Sequence, residues 1–98
     1  MAAPEFEWDA AKERENVKKH DVSFREALTV FADPLARIFD DPDHSQEEPR
    51  ELVIGHSAKQ RLLVVSFTER QSRTRIISAR DATAHERRDY EESNPDSA

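Results

Sequence analysis

A single histidine at the end of a lysine pair and a run of late arginines are the residues of this chain best suited to chemistry. His20 follows Lys18-Lys19, and its imidazole can exchange a proton near neutral pH. Arg61, Arg73, Arg75 and Arg80 carry planar guanidinium forks that match a phosphate in bidentate fashion. Each also has a plainer role. His20 can cap a helix end, Lys19 can be a solvated cation, and Arg61 can pair with a carboxylate. Arg75 and Arg80 are five residues apart, so on a regular strand they point to opposite faces. Only a bulge or a strand end would bring both to one site, and Arg80 is the preferred candidate.

The rest of the composition narrows the chemistry. The 98 residues include no cysteine, which excludes a disulfide scaffold, a thiolate metal site and a cysteine nucleophile. The acidic stretch Asp40, Asp41, Asp43, His44, Glu47, Glu48 could hold a hard cation, but its spacing matches no known loop and it lacks glycine. A solvated loop is the expectation there, with no metal and no cofactor. His85-Glu86 lacks the second histidine of a zinc helix.

Charge is unevenly placed. The formal net charge is −6, yet residues 50–88 carry 9 basic against 4 acidic side chains, and eight of the nine are arginine. An acidic total argues against indiscriminate nucleic-acid binding, while a local basic face can still hold phosphates. A solvated strand edge decorated with arginine is the competing explanation. The longest apolar run, Leu62–Val65, is too short to span a bilayer. With no charged-then-apolar leader at the start, a cytoplasmic protein without membrane contact is expected.

The elements that must position these groups read as one domain over residues 1–98, with 1–4 and 93–98 expected to be flexible. Phe6 and Trp8 flank Glu7, an alternation that fits a short strand or an N-terminal packing anchor. Asp9 caps a helix to about Lys19. Ser23 and Glu26 form a capping box for a second helix, whose Phe24, Ala27, Leu28 and Phe31 make an apolar stripe. Asp33-Pro34 stops it. Strands are predicted at Leu35–Asp40 (with Ile38 and Phe39 in the core), Glu51–Ser57, Arg61–Arg70 and Arg73–Arg80. Gln71-Ser72 makes a tight turn, and the strand at Arg61–Arg70 is central because it is apolar on both faces. Thr83 and Glu86 form another capping box for a helix to about Glu92, with Tyr90 its one large apolar residue. The fold class is α+β: two N-terminal helices, a four-stranded mostly antiparallel sheet and a C-terminal helix.

An ordered set of short pieces resembles the BrnT family of bacterial toxins. They are Phe6-Glu7-Trp8-Asp9, Lys19-His20, Val22-Ser23-Phe24, Ala27, Val30-Phe31 and Asp33-Pro34. Then come Asp41-Pro42-Asp43-His44-Ser45, Phe67-Thr68-Glu69-Arg70, Arg75-Ile76-Ile77-Ser78-Ala79-Arg80, Glu86 and Tyr90-Glu91. The resemblance implies a RelE-like fold and a ribonuclease toxin of a type II toxin–antitoxin system that blocks translation. It implies neutralisation by a BrnA-like ribbon-helix-helix antitoxin, with operator DNA reached only through that antitoxin. A homodimer and a heterotetramer both stay open. The chain departs from the family where Asp21, Lys59-Gln60 and Gln71-Ser72 stand at turns that commonly carry glycine, and in its overall acidity.

Metal-independent RNA cleavage uses the adjacent 2′-OH as nucleophile, which restricts the substrate to RNA. It needs a base for that proton, cations for the phosphorane charge and an acid for the leaving 5′-oxygen. His20, Lys19, Arg61 and Arg80 are the catalytic candidates; Arg73, Arg75 and Tyr90 are the RNA-contacting candidates. Tyr90 can equally be the core anchor of its helix. Two rival functions remain: a weakened toxin kept as an antitoxin-binding co-repressor, and a metal-dependent nuclease using the acidic loop.

Overall fold

A computed structural model describes residues 5–41 and 49–94. The element order is β1 (Glu5–Glu7), α1 (Ala10–His20), α2 (Phe24–Leu28), a 3-10 turn (Thr29–Ala32), β2 (Arg37–Asp40), β3 (Glu51–His56), β4 (Leu62–Arg70), β5 (Arg73–Asp81) and α3 (Ala84–Ser93). The α+β class holds. The sheet, however, has five strands rather than four, in the order β1-β5-β4-β3-β2. The Phe6/Trp8 segment is the extra strand: β1 pairs parallel to β5, and every other pairing is antiparallel.

Local chemistry sets the helix ends. The Asp9 carboxylate accepts from Ala11 N and Lys12 N and opens α1. Ser23 Oγ accepts from Glu26 N at the start of α2, and Thr83 with Glu86 closes the full capping box of α3. The second helix is shorter than its apolar stripe suggests, because the chain tightens into the 3-10 turn before Asp33. Asp21, after α1, is left-handed at φ 56, the conformation that glycine would adopt without strain.

The two faces of the sheet are covered differently. Val53, Leu63, Val65, Phe67, Ile76 and Ala79 pack under the α1/α2 layer with Val22, Phe24, Ala27 and Val30. On the other face Ile54, Leu62 and Val64 pack under α3 through Tyr90. This two-sided burial explains why β4 is apolar at consecutive positions. Ile38 and Phe39 do not join the core as expected. They are 56% and 44% exposed, because β2 is the outermost strand of the sheet.

Between Ser66 and Phe67 the register of β4 with β5 shifts. Ser66 faces Ser78 and Phe67 faces Ile76, so Ile77 is the extra residue of a β-bulge on β5. The bulge resets the alternation. Arg75 and Arg80 face Thr68 and Val64, which lie on one side of β4, so both arginines share a face.

Candidate functional site

The arginine candidates are present on the surface, but each is already held by a carboxylate. Arg61, just before β4, donates through Nε and Nη2 to Glu26 of α2, and through Nη2 to the Asp21 carbonyl at 2.9 Å. Arg80 donates from Nη1 and Nη2 to Glu86 at 2.7 and 2.9 Å. Arg75 donates to Glu7 at 2.8 Å, while Arg73 lies 3.1 Å from Glu5 and 3.5 Å from Glu7.

These pairs disperse the guanidinium groups. Arg61 turns to the α1/α2 side, where it lies against the residue that follows His20. Arg80 turns to α3 on the opposite face, and Arg73 and Arg75 turn to the β1 edge. Of the candidate arginines, Arg61 alone lies beside the end of α1. Charge neutralisation by carboxylates of the same chain is the reason. Lys19 and His20 are exposed in the last turn of α1, where the helix end favours positive charge. Tyr90 is 2% exposed, so its ring offers no face for stacking on a base; packing beneath α3 has taken that surface.

The pairings fix the charge state of the acids. Arg61, with help from Ser57, holds the Glu26 carboxyl below its ordinary range against the opposing effect of burial. Its side chain is only 3% exposed. Glu86 is pulled down to about 2, chiefly by Arg80.

A different cluster, which sequence reasoning passed over, brings titratable groups to an open surface. Asp33 follows the 3-10 turn, where its sequence role is that of a helix stop. His56 ends β3. Asp33 Oδ2 accepts the His56 backbone N–H at 2.8 Å and the Tyr90 hydroxyl at 2.9 Å, while Oδ1 accepts Leu35 N at 2.9 Å. His56 Nδ1 lies 3.3 Å from the Tyr90 hydroxyl, and the two rings meet edge to face at 5.3 Å. Burial alone would raise the Asp33 carboxyl, but its donors outweigh it and hold the acid ionised. Burial and the neighbouring Asp33 push the Tyr90 phenol up to about 12.

Gly55 makes this cluster possible. A Cβ there would meet Asp33 Oδ2 at 3.0 Å and Ala36 Cβ at 3.0 Å. The lone glycine of the chain was the available signal: it marks where another backbone segment comes close. The cluster opens onto a groove of about 950 Å3, whose wall includes Phe6, Leu28, Phe31 and Leu35.

No group of three or more metal-ligating side chains occurs among the described residues. Asp43, His44, Glu47 and Glu48 of the acidic stretch lie outside them. No described helix is long and apolar enough to cross a membrane.

Comparison with known proteins bears on this geometry. No curated protein matches the chain. The crystal structure of the Brucella abortus ribonuclease toxin, BrnT, superposes with a TM-score of 0.65 at 23% identity, covering 83% of this chain and 99% of that one. At that identity the likeness supports the fold alone. A family model described as the ribonuclease toxin, BrnT, of type II toxin–antitoxin systems matches residues 8–86. That match spans β2 to β5 and both early helices and ends inside α3, so the chain belongs to the BrnT family of ribonuclease toxins.

Proposed function

We propose that this protein is an endoribonuclease toxin that cleaves RNA by attack of a neighbouring 2′-OH, without a metal ion, and so inhibits translation. The family match over residues 8–86 carries the reading. Arg61 and the adjoining end of α1, with Lys19 and His20, supply cationic and proton-exchanging groups on one side of the molecule. Arg73, Arg75 and Arg80 share the other face of β5 and would contact the RNA backbone. Each guanidinium has five N–H donors, so the pairs leave donors free for phosphate. A BrnA-like ribbon-helix-helix antitoxin would cover the basic sheet face, displace RNA and provide the only link to operator DNA.

One observation favours a second reading. With all four arginines paired to carboxylates, the local positive charge is largely cancelled. That suits a weakened toxin that serves mainly as an antitoxin-bound co-repressor.

Purified protein incubated with single-stranded RNA in EDTA, beside DNA of the same sequence, separates the two. The ribonuclease reading expects RNA cleavage, intact DNA and a loss of about 10²-fold on Arg80→Ala, as for removal of one charge-stabilising donor. Intact RNA with folded protein overturns it and leaves the co-repressor reading. Expression with and without the antitoxin gives the matching cellular result: growth arrest relieved by the antitoxin, or none.

A further inference from the structure

The Asp33–Tyr90–His56 cluster has a hydrogen-bond order that can be deduced from its atoms. The Tyr90 hydroxyl carries one proton, and the ionised Asp33 carboxylate can only accept, so at 2.9 Å that proton points to Asp33 Oδ2. Towards His56 the same oxygen can then only accept. His56 Nδ1, 3.3 Å away, must therefore be the protonated ring nitrogen. In the neutral ring this leaves Nε2 with its lone pair, and no described residue bonds to it. The His56 side chain is 39% exposed, whereas Asp33 behind it is 9% exposed. A buried acid thus orients, through a buried phenol, an imidazole on the groove wall whose Nε2 has no partner among the described residues. Orientation of a histidine by a second and third group is how a general base is prepared.

The surroundings match a nucleotide. The groove wall offers Phe6, Phe31 and Leu35, apolar surface against which a base can lie. Phe31 is braced from beneath by Phe67, with ring centroids 5.0 Å apart, and Phe6 lies 5.1 Å from Phe31. The same groove contains His56, so base and imidazole would occupy one continuous surface.

We propose that His56 is a proton-transfer residue for RNA cleavage in this groove, with Tyr90 and Asp33 as its positioning residues. The inference rests on the ribonuclease reading above and moves its base from His20 to His56. In the step, Nε2 takes the 2′-OH proton as the 2′-oxygen bonds to phosphorus. The P–O5′ bond breaks with its electron pair on O5′, which takes a proton from water. The products are a 2′,3′-cyclic phosphate and a 5′-hydroxyl, and the imidazolium returns its proton to solvent.

The test is single-turnover cleavage of a single-stranded RNA by wild type, His56→Ala, His56→Gln and Tyr90→Phe, with thermal unfolding of each as a folding control. Both His56 variants are expected to lose about 10²–10⁴-fold in rate while still binding the RNA. Added imidazole should restore part of the activity of His56→Ala, the variant with space for it. Tyr90→Phe should lower kcat with KM unchanged. Wild-type rates in folded His56→Ala and His56→Gln would overturn the inference and leave the ribonuclease reading intact. Absence of cleavage by wild type would overturn that reading first, and this inference with it.

Discussion

Asn16 is the clearest case of a residue whose role is hidden in the sequence. It sits on a helix whose visible apolar stripe is thin, and the exposed Val17 beside it looks the better core candidate. In the structure its amide donates to the Val22 and Ala79 carbonyls at 2.9 and 2.8 Å and accepts from Ala79 N at 3.1 Å. The cause lies in the sheet. β1 stops opposite Arg75, so the edge of β5 at Ala79 has no strand to bond, and one side-chain amide substitutes for it. Asn16→Ala would leave buried backbone groups unpaired, at a cost of about 2–4 kcal/mol in urea unfolding; a change within error would mean that water replaces the amide. Arg61→Ala would strand the buried Glu26 carboxylate, at a cost of about 3–5 kcal/mol. Lost activity in that variant is informative only alongside its unfolding curve.

Among the elements, two predictions follow from features that composition hints at but does not place. The hairpin between β4 and β5 turns through Gln71 and Ser72 at φ 47 and 73, a two-residue loop of the type that favours Asn-Gly. The double change Gln71→Asn, Ser72→Gly should relieve about 1–2 kcal/mol of left-handed strain and raise Tm by several degrees. An unchanged Tm would show that the present side chains are already compensated. The second concerns α3. Glu86 both completes its capping box and holds Arg80. Its folded-state pKa of about 2 lies below the ordinary 4.5. The stabilisation it supplies is therefore complete above pH 4.5 and lost as pH falls towards 2. Urea midpoints should drop across that window, and Glu86→Gln should flatten the drop; equal slopes would assign acid sensitivity to the other paired carboxylates.

The class of the fold and most of the elements were legible because caps, stripes and alternation are local signals. The Ser23 cap, the Thr83 capping box, the central position of β4 and the turn at Gln71-Ser72 all follow from neighbours within a few residues, whereas the box expected at Ser23 stays half-formed because the Glu26 carboxylate is held by Arg61 and Ser57. What was not legible depends on distant partners. The short strand around Phe6 could be read from its alternation, but its place as the fifth strand of the sheet could not, because that depends on the edge that β5 offers it. The bulge at Ile77, which puts Arg75 and Arg80 on one face, leaves no mark in the alternation of residues 73–81. Ile38 and Phe39 have core-like identities, but β2 is an edge strand and leaves them half exposed.

The candidate site shows the same division for the whole molecule. Arginine-rich strands were visible in composition, whereas the carboxylates that pair with them come from β1, α2 and α3. The cluster at His56 draws on residues 33, 56 and 90, too far apart for any spacing to reveal.

The chemistry itself is tested most directly by the ends of the RNA fragments made in EDTA by purified protein. Attack by the 2′-OH predicts a 2′,3′-cyclic phosphate on one fragment and a 5′-hydroxyl on the other. A 5′-phosphate with a 3′-hydroxyl, or no fragments from folded protein, would contradict the account.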